Sequence, residues 1–67
     1  MPKIPLVAAR KAKGMTQAEL AEKMGVSRET VLAWENGKTT MKTAYFYLFC
    51  KVTGFSEDDI ILPEKST

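Results

Sequence analysis

Residues 16–38, TQAELAEKMGVSRETVLAWENGK, decide the fold. Within them Leu20, Ala21, Met24, Val26, Val31 and Trp34 fall where two short helices crossing at a steep angle would each bury one face, while Glu19, Glu22, Lys23, Arg28 and Glu29 lie between them. Ala21 must be small, because the second helix crosses close to it. Thr16 followed by Glu19 is a capping box that starts the first helix, and Gly25 just past Met24 is the residue able to adopt the left-handed conformation that ends it. Ser27 caps the second helix, whose last turn runs into Asn36-Gly37. The stretch therefore predicts a helix, a tight turn and a second helix, with both ends of the turn fixed by residue chemistry.

Working outward, Pro5 suits a first helical position, Gly14 the residue past a helix end, and Arg10, Lys11 and Lys13 a last turn, so residues 5–13 are expected as a helix with Leu6, Ala9 and Met15 facing the core. Residues 1–4 are expected as a flexible lead-in. On the other side residues 37–40 form a polar loop, and Thr39 or Thr40 is expected to cap a helix over 41–53 that stops before Gly54. That helix is apolar on two faces. Phe46, Phe49, Cys50 and Thr53 form the expected core stripe; Tyr45, Leu48 and Val52 form a second stripe, read either as an interface with another chain or as cover for the chain's own C-terminal segment. Ser56, Glu57, Asp58 and Asp59 are expected to open a last short helix through Leu62, stopped by Pro63, with residues 64–67 a frayed tail.

Residues 16–38 resemble the helix-turn-helix of the phage lambda and 434 repressor and Cro family of regulators (the XRE family). The matching residues are the TQAELA opening, Gly25 in the turn, the Val31 and Trp34 pair and the ending Glu35-Asn36-Gly37-Lys38, and a looser likeness runs from about Leu6 to Leu62. The resemblance implies an all-α fold, a compact bundle of five short helices forming one lambda repressor-like DNA-binding domain over 1–67, with its core at about 5–62 and its helix-turn-helix at 16–36. It also implies that the second helix of the motif lies in the major groove of double-stranded DNA. Arg10 would pair with Glu35 and hold its guanidinium near a phosphate, the alternative being an exposed, solvated arginine; Gln17 would grip the backbone at a helix N-terminus; Asn36, Lys38 and Thr39 would clamp the opposite flank, with Lys42 extending the clamp.

Positions 28, 29, 32, 33 and 36 share the face opposite Val31 and Trp34, and carry Arg28, Glu29, Leu32, Ala33 and Asn36. Arg28 can offer two donors to guanine O6 and N7 or fall back to a phosphate; Glu29 can accept from cytosine N4, reject other bases, or simply favour the helix N-terminus. Leu32 and Ala33 present only hydrocarbon, which suits thymine methyl groups but cannot hydrogen-bond a base edge. Family members with glutamines on this face differ here, so their operators do not transfer. Ser27 caps the helix and stands within reach of a base or phosphate.

Composition narrows the alternatives. The 67 residues leave room for one small core, and a chain of this size buries only about 60% of the surface its unfolded form exposes, which favours pairing with a partner. The 45% hydrophobic and 27% charged content is that of a globular chain, with no run of roughly 18 apolar residues to span a membrane. The start lacks a signal-peptide pattern, so the protein is expected in the cytoplasm. One cysteine and no histidine exclude an internal disulfide and an ordinary structural zinc site, leaving Cys50 as a small core residue. Net charge is only +2, but residues 1–38 carry seven Lys or Arg against four Glu, and residues 39–67 three Lys against four acids. The basic half holds the motif.

The expected function is a sequence-specific DNA-binding transcriptional regulator, a repressor or Cro-like switch of a phage or mobile element, acting as a homodimer in solution or on DNA. The alternative is an antitoxin or other partner-dependent module that uses the Tyr45, Leu48 and Val52 face. No cofactor or metal is expected. An enzyme is disfavoured, since there is no histidine, no phosphate-binding glycine loop and no converging acid–base pair.

Overall fold

The computed structural model of the chain describes residues 3–62. In order they form β1 (Ile4–Pro5), α1 (Leu6–Ala12), α2 (Gln17–Met24), α3 (Arg28–Glu35), α4 (Thr43–Thr53), a 3₁₀ turn (Glu57–Asp59) and β2 (Ile60–Ile61). Four of these elements are α-helices; the two strands have two residues each and the 3₁₀ turn has three.

The caps of α2 and α3 follow from single side chains. Thr16 Oγ1 accepts the Glu19 backbone N–H at 3.1 Å, and Glu19 Oε1 accepts the Thr16 backbone N–H at 2.9 Å. Two donors that the helix itself leaves orphaned are thus satisfied reciprocally. At the far end Gly25 takes φ +72°, so that its N–H donates to Glu22 O at 3.2 Å and the Val26 N–H to Ala21 O at 3.0 Å. A Cβ on Gly25 would meet nothing within 4 Å, so glycine is required there by backbone conformation and not by space. Ser27 Oγ then accepts the Thr30 backbone N–H at 3.2 Å and starts α3.

Inside, Leu20, Ala21 and Met24 of α2 join Val31 and Trp34 of α3, Leu6 and Ala9 of α1, Met41, Phe49 and Cys50, and Ile60 in one buried cluster. Met15, Val26, Phe46, Leu48 and Val52 are half-buried against its edge. Trp34 stacks on Tyr45 with ring centroids 5.3 Å apart and planes tilted by 48°, which joins the end of α3 to the start of α4.

Four expectations outside the motif need correction. The described residues form four α-helices and not five: residues 56–62 make one 3₁₀ turn and then a strand. Asp59 accepts from both the backbone N–H and the hydroxyl of Ser56 at 3.1 Å, which closes a tight turn. The β-branched Ile60-Ile61 that follows extends instead of coiling, burying Ile60. At the end of the expected lead-in Ile4 is not free either: Ile4 and Pro5 pair in parallel with Ile60 and Ile61, which ties the two ends of the described chain together, while residues 1–2 lie outside the described residues. Finally, α4 begins at Thr43, with Lys42 as an N-cap that makes no side-chain hydrogen bond. Neither Thr39 nor Thr40 caps it, because the chain first turns Met41 into the core, where only 5% of that residue is exposed. Helix α1 is one residue shorter at each end than expected, with Pro5 as its N-cap. The expected stop at Pro63 and the tail at 64–67 lie outside the described residues.

Candidate nucleic-acid interface

Helix α3 is divided lengthwise. Val31 and Trp34 are buried on α2 and α4, whereas Arg28, Glu29, Leu32 and Asn36 are exposed and Ala33 is half-buried. Arg28 and Glu29 take part in no ion pair among the described residues, where the one salt bridge is Arg10–Glu35. The first turn of α3 therefore presents a cation and a carboxylate to solvent, both free to meet a ligand. Ser27 is exposed, with its hydroxyl 2.9 Å from Thr30 Oγ1, so its oxygen already serves the cap.

The last turn of α3 is anchored from behind. Arg10 Nε donates to Glu35 Oε2 at 2.7 Å, its Nη2 to Glu35 Oε1 at 3.3 Å and its Nη1 to Met15 O at 2.8 Å. The ion pair implied by the family resemblance is present, and it is nearly dry, with side-chain exposures of 9% for Arg10 and 6% for Glu35. Gln17 adds a bond that the sequence did not suggest, its Nε2 donating to Glu35 Oε1 at 3.0 Å. Eighteen residues separate Gln17 from Glu35, and no local pattern signals a contact at that range. The bond brings the N-terminus of α2 beside the end of α3. The first turn of α2, whose Gln17 and Ala18 N–H groups have no partner within the helix, thus stands close to the loop after α3, whose N–H groups are already donated to helix carbonyls.

That loop has a defined shape. Gly37 takes φ +75°, its N–H donates to Trp34 O at 3.3 Å, and the Lys38 N–H donates to Ala33 O at 2.9 Å. This glycine-closed end turns the chain sharply away from the helix axis and leaves Lys38, Thr39 and Lys42 exposed.

The side chains expected for a protein interface are divided. Tyr45 is 39% exposed, while Leu48 and Val52 are half-buried against the chain's own core. The most exposed aromatic is Tyr47 at 54%, with Lys51 Nζ 5.0 Å from its ring centre, and the second-stripe pattern did not single it out. Cys50 is buried, and its thiol is pushed up from the ordinary range by burial first and then by the charges of Glu57 and Asp59, so the reactive thiolate is suppressed. No group of His, Cys, Asp or Glu among the described residues could hold a metal ion, and none of their helices is long and apolar enough to cross a membrane.

A short helix packed on its neighbour across a glycine turn, with the second helix exposed on its outer face and backed by a buried ion pair, defines a helix-turn-helix protein. The helix-turn-helix family model matches residues 6–60, and the chain belongs to that family, of the Cro/C1 type. It is similar to proteins named as uncharacterised HTH-type transcriptional regulators from three organisms. The relative from Methanothermobacter thermautotrophicus is 39% identical over 57 residues, covering 82% of this chain and 83% of its own. That from Methanocaldococcus jannaschii is 38% identical over 50 residues, covering 75% and 76%. That from Archaeoglobus fulgidus is 39% identical over 49 residues, covering 73% and 70%. The family is one of DNA-binding transcriptional regulators, not of enzymes.

Proposed function

We propose that this protein is a sequence-specific transcriptional regulator that inserts α3 into the major groove and binds as two copies. The observation that carries the reading is the division of α3: its apolar residues Val31 and Trp34 are consumed by the core, and Arg28 and Glu29 stand exposed at its start with no ion-pair partner among the described residues. Arg28 reads guanine through O6 and N7, Glu29 discriminates at the neighbouring base, and Ser27, Leu32 and Ala33 complete the base-facing surface. Gln17 contacts phosphate from one flank and Asn36, Lys38, Thr39 and Lys42 from the other. Arg10 is assigned a supporting role in that contact. Its guanidinium is spent on Glu35 and Met15, so it fixes the residues that meet the phosphate.

Three to five phosphate contacts from one module give only about micromolar affinity at physiological salt. Two copies on inverted half-sites, about one helical turn apart, supply the rest. Whether occupancy represses or activates depends on where the site lies relative to a promoter. The runner-up, a partner-dependent module, rests on the exposed Tyr45 and Tyr47; it is the weaker reading because Leu48 and Val52 are already packed on the core.

Selection from a random duplex pool with purified protein at moderate salt tests the proposal. Two related, inverted half-sites are expected. Arg28→Ala should then relax preference at one base pair by about 1–3 kcal/mol, and Lys38→Ala should weaken all sequences alike while lowering the salt slope by about one unit. A pool that emerges unenriched, with only salt-sensitive retention, would overturn sequence-specific reading and turn attention to a protein partner.

A further inference from the structure

We infer that Leu32 sets the sequence preference of α3 by reading a C5-methyl group on a pyrimidine, an inference that rests on the DNA-binding reading above. Arg28, Leu32 and Asn36 follow one another at four-residue spacing along α3, and all three are exposed. Leu32 is 38% exposed, whereas the other large apolar side chains of the helix, Val31 and Trp34, are exposed by only 1% and 5%. Its exposure is therefore not overflow from a crowded core. Leu32 is not among the buried residues that make up the core cluster.

An isobutyl group at the centre of a groove-facing ridge restricts what can lie opposite. It has no donor and no acceptor, so guanine N7 and O6, adenine N7 and N6 or cytosine N4 placed against it would lose water and gain nothing in return. The one major-groove feature it can cover without stranding a polar atom is the methyl group at pyrimidine C5. Thymine carries that methyl, and 5-methylcytosine carries the same group in the same place. Half-buried Ala33 lies beside Leu32 and adds a second hydrocarbon surface. Discrimination is thus two-sided: contact with the methyl is gained, and every polar alternative is penalised.

The spacing also locates the methyl. Four helical residues advance about 6 Å along the axis, and successive base pairs are about 3.4 Å apart. The methylated pyrimidine should therefore lie about two base-pair steps from the base pair that Arg28 reads.

The test alters the DNA and leaves the protein intact. In the selected site each thymine is replaced singly by deoxyuridine, which deletes only the methyl, and each cytosine singly by 5-methylcytosine, which adds it; binding of the full chain is followed by fluorescence anisotropy. One deoxyuridine about two steps from the Arg28 base pair should weaken binding about three- to fivefold, the scale of one buried methyl. If the position is a cytosine, methylation should strengthen binding by a similar factor, and which arm responds identifies the base. With Leu32→Ala, used once circular dichroism shows its helix content and melting to match the parent, the difference between the paired DNAs should collapse. Affinity blind to every methyl, or an equal response in Leu32→Ala, overturns the inference. In that case Arg28→Ala still losing preference at one base pair leaves the DNA-binding reading standing, and Leu32 is then free for contact with protein. A chain that retains no duplex at all overturns both.

Discussion

Two segments of the described chain, residues 16–38 and 39–62, feed one core but are positioned by different means. In the first, boundaries are set by neighbours in sequence: Thr16 with Glu19, Gly25 with Val26, Ser27 with Thr30 and Gly37 with Lys38 each satisfy backbone groups within a few residues. In the second, local chemistry ends α4 at Gly54 and closes the Ser56–Asp59 turn, but burial sets the other boundaries: Met41 is drawn inward before α4 can start, α4 has no side-chain N-cap, and Ile60 extends to pair with Ile4. Local chemistry fixes a geometry before the rest of the chain arrives, whereas burial fixes one only when its partners are in place. A surface that must match a DNA groove to within a fraction of an ångström belongs on the first kind of scaffold.

The strongest challenge to this picture is Trp34→Ala. Trp34 is the point where the halves meet, 5% exposed and stacked on Tyr45. Its loss should cost about 3–5 kcal/mol, enough to leave a domain of this size largely unfolded. Circular dichroism should show both halves lost in one transition. A variant melting like the parent, or in two steps, would break the claim of a shared core.

Next is the buried pair behind α3. Glu35→Ala strands the Arg10 guanidinium and should cost about 3 kcal/mol. Adding Arg10→Met should recover most of that loss, because two hydrocarbon side chains need no compensation. If the double variant is as unstable as the single, the cost lies in the missing Glu35 contacts to Gln17 and not in an uncompensated charge.

The same contrast explains what the sequence revealed. The helix-turn-helix was legible because its signals are short-range residue chemistry, and the Val31 and Trp34 spacing told inside from outside on α3. The exposed face was legible for the same reason: naming Arg28, Glu29 and Leu32 requires only the helix period. What escaped was long-range. The β1–β2 pairing joins residues 56 apart in sequence, and Ile4 and Ile60 carry no mark of each other. Gln17 bonding Glu35 is equally silent. The acidic start at residues 57–59 resembled a helix N-terminus, but the two isoleucines that follow are better extended, and the burial of Ile60 decided between them.

Caps give a finer comparison. Thr16→Ala removes an existing cap from α2 and should cost about 1 kcal/mol. Lys42→Ser supplies one where α4 has none, and should gain about 0.5 kcal/mol while weakening DNA binding through the lost charge. Chemical denaturation reads the first effect and anisotropy the second. A Lys42→Ser variant with unchanged stability would mean that the Met41 geometry prevents the serine from reaching the α4 amides, and burial would then override local chemistry at that helix start altogether.

The smallest expected effect isolates one carboxylate of the capping box. Glu19 is held below its ordinary range mainly by the Thr16 backbone N–H that donates to it, then by the Thr16 side chain. A lowered folded-state value means that the charged form favours the fold: the contribution is complete above the ordinary carboxylate value of 4.5 and is lost as pH falls through the lower folded-state value. Other acids titrate in the same window, so the useful quantity is the difference in melting temperature between the parent and Glu19→Gln. Glutamine keeps an acceptor for the Thr16 N–H but lacks the charge that the helix N-terminus favours. The parent should melt slightly higher near pH 7, with the gap closing between pH 4.5 and more acidic conditions. A gap that stays constant with pH would assign the stabilisation to hydrogen-bond geometry alone, and the start of α2 would then owe nothing to charge.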